Sequence, residues 1–186
     1  MGLRYGLVVL GLLAAGTGCA KQSAESAIDA AEKMVVGIQA QAEQLAPGDL
    51  KAVTDSIAAM KARVAAGDYS GALMGARQTT SMARDLGAAL ATRKTQLTNS
   101  FNAMSADLPK QLSAVMAKVN ALVAMKKLPK GVDPARVATL KTEAAGWAAT
   151  WTAASEAFKA GNLAEAVAKG TELKNKLAAA AAMFGA

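Results

Sequence analysis

The feature that most constrains this chain is a helical period in its apolar residues. Ile28, Ala31, Val35, Ile38, Ala42 and Leu45 recur at alternating steps of three and four, which sets them on one face of an α-helix. Leu50, Val53, Ile57, Met60 and Val64 repeat the pattern, as do Val137, Leu140, Ala144, Trp147, Trp151, Ala154 and Phe158. No stretch alternates with a period of two for long enough to make a strand. Hydrophobic residues make up 53% of the chain, but aromatics only 4%. Much of that apolar content is alanine, the strongest helix former. The pattern predicts an all-α, up-and-down bundle of about five to six helices.

Breakers divide the stripes. A first helix is expected over residues 23–46, capped by Ser23. Pro47-Gly48 ends it, and Asp49 is placed to cap a second helix, 50–66. Gly67-Asp68 makes a tight turn: glycine suits the left-handed conformation past a helix end, and Asp68 can cap the next helix. A third helix is predicted from Tyr69 to about Met104. Gly71 and Gly75 within it point to close approach of a partner helix, since internal glycines cost about 1 kcal/mol each. Ser105-Ala106-Asp107-Leu108-Pro109 reads as a stop and restart. Leu112, Val115, Met116, Val119, Leu122 and Val123 then face one way. Lys126-Lys127-Leu128-Pro129-Lys130-Gly131 is a basic loop and the expected hinge. Asp133-Pro134 starts the next helix, and Gly161-Asn162 turns the chain into the last one, 163–183.

Two segments match at a distance of 94 residues: Gly67-Asp68-Tyr69-Ser70-Gly71-Ala72 aligns with Gly161-Asn162-Leu163-Ala164-Glu165-Ala166. Val53, Ile57, Met60 and Val64 align with Trp147, Trp151, Ala154 and Phe158 at the same offset. The chain therefore reads as two related helical hairpins. A module with a long third helix is expected over 23–127, and a second hairpin over 128–186, packed on the first. The turn resembles that of tetratricopeptide arrays, but those repeat every 34 residues or so, and the helices here are longer.

The start of the chain carries a different signal. Arg4 precedes an uncharged run, residues 7–15; Gly16, Thr17 and Gly18 come next, then Cys19, the single cysteine among 186 residues. A positive start, a short apolar run and small residues before a cleavage point describe a secretory signal. The run falls short of the roughly 20 apolar residues that span a bilayer. The segment Ala15-Gly16-Thr17-Gly18-Cys19 resembles the lipobox of bacterial lipoproteins, departing from it at Gly16, where leucine is usual. The resemblance implies removal of residues 1–18, a lipidated tether over 19–22, and a diacylglycerol on the Cys19 thiol with acylation of the new amino terminus. Two or more acyl chains anchor stably, since each buried methylene contributes about 0.8 kcal/mol. Ala20 stands after the cysteine, where aspartate would favour the inner membrane of a Gram-negative cell, so the resemblance points to the outer membrane, facing the periplasm. Residues 23–93 also resemble a helical domain of unknown function found in bacterial envelope lipoproteins. The matching residues are Ala46-Pro47-Gly48-Asp49-Leu50 and the Gly67-to-Ala72 turn; that family has no assigned catalytic residues.

Composition narrows the chemistry. Histidine is absent, so with one cysteine the usual ligands for zinc, haem and copper are missing, as is the commonest general acid–base group. No carboxylate pair, phosphate-binding glycine loop or nucleophile elbow stands out: Asp49/Asp55 and Glu165/Glu172 are spaced like solvated helix faces. The expectation is a non-enzymatic chain without cofactor or metal. The net charge of +7 comes with no aromatics interleaved among basic residues, against nucleic-acid binding. Arg93-Lys94 and Lys126, Lys127, Lys130 could meet anionic head groups, or sit as solvated helix ends. Trp147 and Trp151, with Phe158 on the same face, either fill core or line an apolar pocket. Two functions are open to such a chain: a lipid-anchored structural or interaction module meeting an envelope protein, or a carrier holding an apolar ligand between helices near the tryptophans.

Overall fold

The computed structural model describes residues 14–128 and 132–183, with side chains from Gly18 onward. Arg4 and most of the apolar run lie outside the described residues, as do Pro129, Lys130 and Gly131 of the basic loop. The described chain is all-α, with five helices: α1 (Ala14–Leu45), α2 (Pro47–Ala65), α3 (Tyr69–Ala124), α4 (Pro134–Lys159) and α5 (Leu163–Met183).

Helix α1 differs from the expected start at Ser23. No breaker stands between Ala20 and Gln22, so the segment expected as a tether, 19–22, is helical. Ser23 caps nothing; its hydroxyl donates back to the Cys19 carbonyl at 2.9 Å. Helix α2 likewise begins earlier than expected. Its N-cap is Ala46, without a side-chain cap, and Pro47 occupies the first turn, where its missing N–H costs nothing. Asp49 lies inside that turn, where its charge suits the helix dipole.

The largest departure is in α3, which runs through Pro109 as one helix of 56 residues. A proline inside a helix costs about 3 kcal/mol. Leu108 and Leu112 on either side of it are 2% and 8% exposed, and burying a leucine is worth about 1.5–3 kcal/mol. Packing of the flanking turns therefore outweighs the lost hydrogen bond, and no stop forms. Val123, expected on the buried side, is 38% exposed one residue before the helix ends.

The chain forms two compact units, Met1–Thr92 and Arg93–Ala186. The division falls inside α3, not after Lys127 where the loop suggested a boundary. In the first unit α1 packs on α2, and the first part of α3 joins them: Ile38 meets Gly87 at 3.8 Å from where a Cβ would stand, and the Ser56 and Thr79 hydroxyls share a hydrogen bond of 2.6 Å. In the second unit α4 packs on α5, and the rest of α3 supplies Leu108, Leu112, Val115 and Val119 to a core with Leu140, Trp147, Leu173 and Leu177.

The units repeat one another. Buried Ala72, Ala76, Thr79, Ala83 and Leu86 recur 94 positions later as buried Ala166, Gly170, Leu173, Leu177 and Ala180. Ala24, Ala31, Val35 and Ala42 in α1 recur 77 positions later as Phe101, Leu108, Leu112 and Val119 in the second part of α3. Each unit is thus a three-helix repeat, one helix more than the hairpin that the sequence suggests, because the second part of α3 takes the place that α1 holds in the first.

Candidate functional site

Cys19 stands on α1 with an exposed thiol. Among the residues whose side chains are described, the first buried one on the helix is Ala24, 0% exposed, only five positions on. The intervening side chains are polar or small, and Lys21 pairs with Glu25 at 3.8 Å. A group carried on Cys19 would project from an exposed position on α1 and would hold the bundle close to whatever it was embedded in.

The two turns singled out by the sequence share one geometry. Gly67 and Gly161 have φ of +80° and +84°, a left-handed conformation that side-chain-bearing residues resist. The Gly67 N–H donates to Val64 at 3.0 Å and the Asp68 N–H to Arg63 at 2.9 Å; the Gly161 N–H donates to Phe158 at 3.0 Å and the Asn162 N–H to Ala157 at 2.9 Å. These are paired six-to-one and five-to-two closures that satisfy the last carbonyls of a helix. Asp68 also caps α3, accepting from the Gly71 N–H at 2.9 Å. A Cβ on Gly71 would collide with the Asp68 carboxylate and the Arg63 guanidinium, so this glycine makes room for its own cap rather than for a partner helix. Gly75 does serve close approach: a Cβ there would stand 3.1 Å from Met60 Cγ of α2.

The tryptophans part company. Trp147 is 1% exposed and packed among Leu108, Leu112, Leu140 and Leu173. Its indole N–H has no hydrogen-bond partner, a state that costs about 1–3 kcal/mol. Trp151 is half-buried and stacks on Phe101 with ring centroids 5.5 Å apart; Phe101 stacks in turn on Phe158 at 4.2 Å. Phe101 is the member of this trio that sequence spacing did not connect to the tryptophans, because the pairing crosses from α3 to α4. Thr79 was also missed. It is 0% exposed, satisfied by Ser56 and by the Gly75 carbonyl at 3.0 Å; its place on the Ala72–Ala76–Ala83 stripe was the available signal.

The charged groups sit on open faces. Lys51 pairs with Asp55 at 2.6 Å, Lys169 with Glu165 at 3.5 Å and Lys176 with Glu172 at 2.6 Å, all four residues apart along exposed helix. The hydrogen bond from Lys176, with its charge, holds the Glu172 carboxyl below the usual carboxylate range. Arg93, Lys94, Lys126 and Lys127 are exposed; Lys130 lies outside the described residues. Among the described residues no three His, Cys, Asp or Glu side chains gather to hold a metal, and no helix is long and apolar enough to cross a membrane. An open groove of about 480 Å³ runs between α3 and α5 in the second unit, lined by Met104, Asp107, Leu108, Gln111, Val167 and Lys174 among others. Compared with protein-family profiles, curated proteins and solved structures, the chain matches none of them.

Proposed function

We propose that this chain is a non-enzymatic lipoprotein of the bacterial envelope, tethered through lipid on Cys19 and presenting its helical units to an envelope protein partner. The observation that carries the reading is the run of small residues ending at the sole cysteine, with that cysteine exposed at the edge of the folded body. Ala20 favours the outer membrane on the same lipoprotein resemblance, with the body in the periplasm. The enclosure of Trp147 among buried core side chains, 1% exposed, supports an interaction module over a carrier, since a carrier presents its apolar anchor to a pocket. The carrier reading keeps one observation, the unpartnered indole N–H of Trp147, which an oxygen of a bound molecule could satisfy.

The anchor is tested by metabolic labelling with a radioactive fatty acid. Cys19→Ser should abolish incorporation and leave the chain unprocessed or released from membranes. Normal labelling of that variant would refute the anchor.

A further inference from the structure

Resting on the lipid-anchor reading, we propose that the turn between α2 and α3 is the face of the first unit laid against the bilayer, and that this face lies there without drawing on anionic head groups. The tether permits little else. Ala24 is already core, so even five fully extended residues leave the anchored sulfur within about 17 Å of the packed body.

The register of the three helices then decides which end faces the lipid. Glu32 on α1 pairs with Lys61 on the antiparallel α2 at 2.6 Å. Four residues further along both helices, Ala65 comes level with Ile28. Ile38 on α1 meets Gly87 on the parallel α3. Eighteen residues back along both, Tyr69 comes level with Ala20. The two routes bracket the Gly67–Asp68 turn, and at 1.5 Å per residue it lies within about 12 Å of Cys19 along the helix axis. The other turn of this unit, at Ala46 and Pro47, lies about 40 Å away by the same rise.

The chemistry of the near end is balanced. Arg63 pairs with Asp68 at 3.4 Å and Lys21 with Glu25 at 3.8 Å, so each cation has its own carboxylate. Anionic lipid, which attracts unpaired cations at about 1 kcal/mol each, gains nothing here. Tyr69, half-buried in the first turn of α3, has the amphipathic ring that favours the head-group level.

The test uses the full chain isolated from membranes and reconstituted in phosphatidylcholine vesicles. Lipidation consumes the Cys19 thiol, so Ser70→Cys or Gly48→Cys supplies a single labelling site. Gly48 has no atom within 4 Å of where a Cβ would stand, and Ser70 is exposed, so both variants should fold. A fluorophore at Ser70→Cys should be quenched several-fold more by head-group nitroxide lipids than one at Gly48→Cys, and adding phosphatidylglycerol should leave the ratio unchanged. Equal quenching, or stronger quenching at Gly48→Cys, in protein whose intact mass includes the lipid would overturn the orientation while leaving the anchor standing. A ratio that rises with anionic lipid would overturn the indifference to head-group charge. An intact mass without lipid would overturn the anchor and the orientation with it.

Discussion

Single residues carry distinct burdens in this chain. Gly67 and Gly161 hold left-handed backbone, so Gly67→Ala and Gly161→Ala should each cost about 1–2 kcal/mol. Asparagine, which visits that region more readily, should cost less. Urea unfolding would measure both, and a neutral Gly67→Ala would contradict the geometry. Trp147→Ala should cost about 3–5 kcal/mol, as deletion of a buried aromatic does. Trp147→Phe should cost less, because it keeps an aromatic ring in the core and removes an unpartnered N–H. A tolerated alanine at this position would favour a ligand pocket over a core. Glu172 offers a titration. Its carboxyl is held below the usual range by Lys176, so the pair favours folding above the ordinary glutamate range and loses that contribution as pH falls through the lowered value. Exposure keeps the contribution small. The side-chain carbon signal of Glu172 should titrate below that of an ordinary glutamate, and Lys176→Ala should bring it back.

At the level of elements, α3 is where local preference and packing compete. Pro109 removes a backbone donor and crowds the preceding turn, yet the helix continues because Leu108 and Leu112 are buried beside it. Pro109→Ala should therefore raise stability by about 1–3 kcal/mol, up to the full local cost, seen as a higher urea midpoint. An unchanged or lower midpoint would mean that Pro109 itself packs usefully. The paired turns make the complementary point. Both end a helix with the same two closures, and the spacing of Gly67 and Gly161 was readable because a left-handed C-terminal residue is a local requirement with a residue-specific signature.

On the scale of the whole molecule, the two units repeat one pattern with different side chains. Among the described residues the first buries no aromatic side chain and includes the polar Thr79 beside its alanines, Ile57, Met60 and Leu90; the second holds Phe101, Trp147, Leu173 and Leu177. Buried apolar area sets the driving force, so the first unit should open at lower denaturant than the second. The two tryptophans of the chain both lie in the second unit, so their fluorescence reports it alone, whereas helical circular dichroism reports both. The dichroism midpoint should fall below the fluorescence midpoint. Coincident transitions would mean that the units unfold together.

Helical class, the positions of both glycine turns, the offset of 94 between them and most of the buried stripes were determined by the sequence alone, because each depends on interactions within about one helical turn. Tertiary structure decided the rest. It carried α3 through Pro109, placed the division between units at Thr92 and Arg93, brought Phe101 between Trp151 and Phe158, and buried Trp147 without a partner for its N–H. Those outcomes depend on apolar surface contributed by residues distant in the chain, and local spacing does not record which of them will meet.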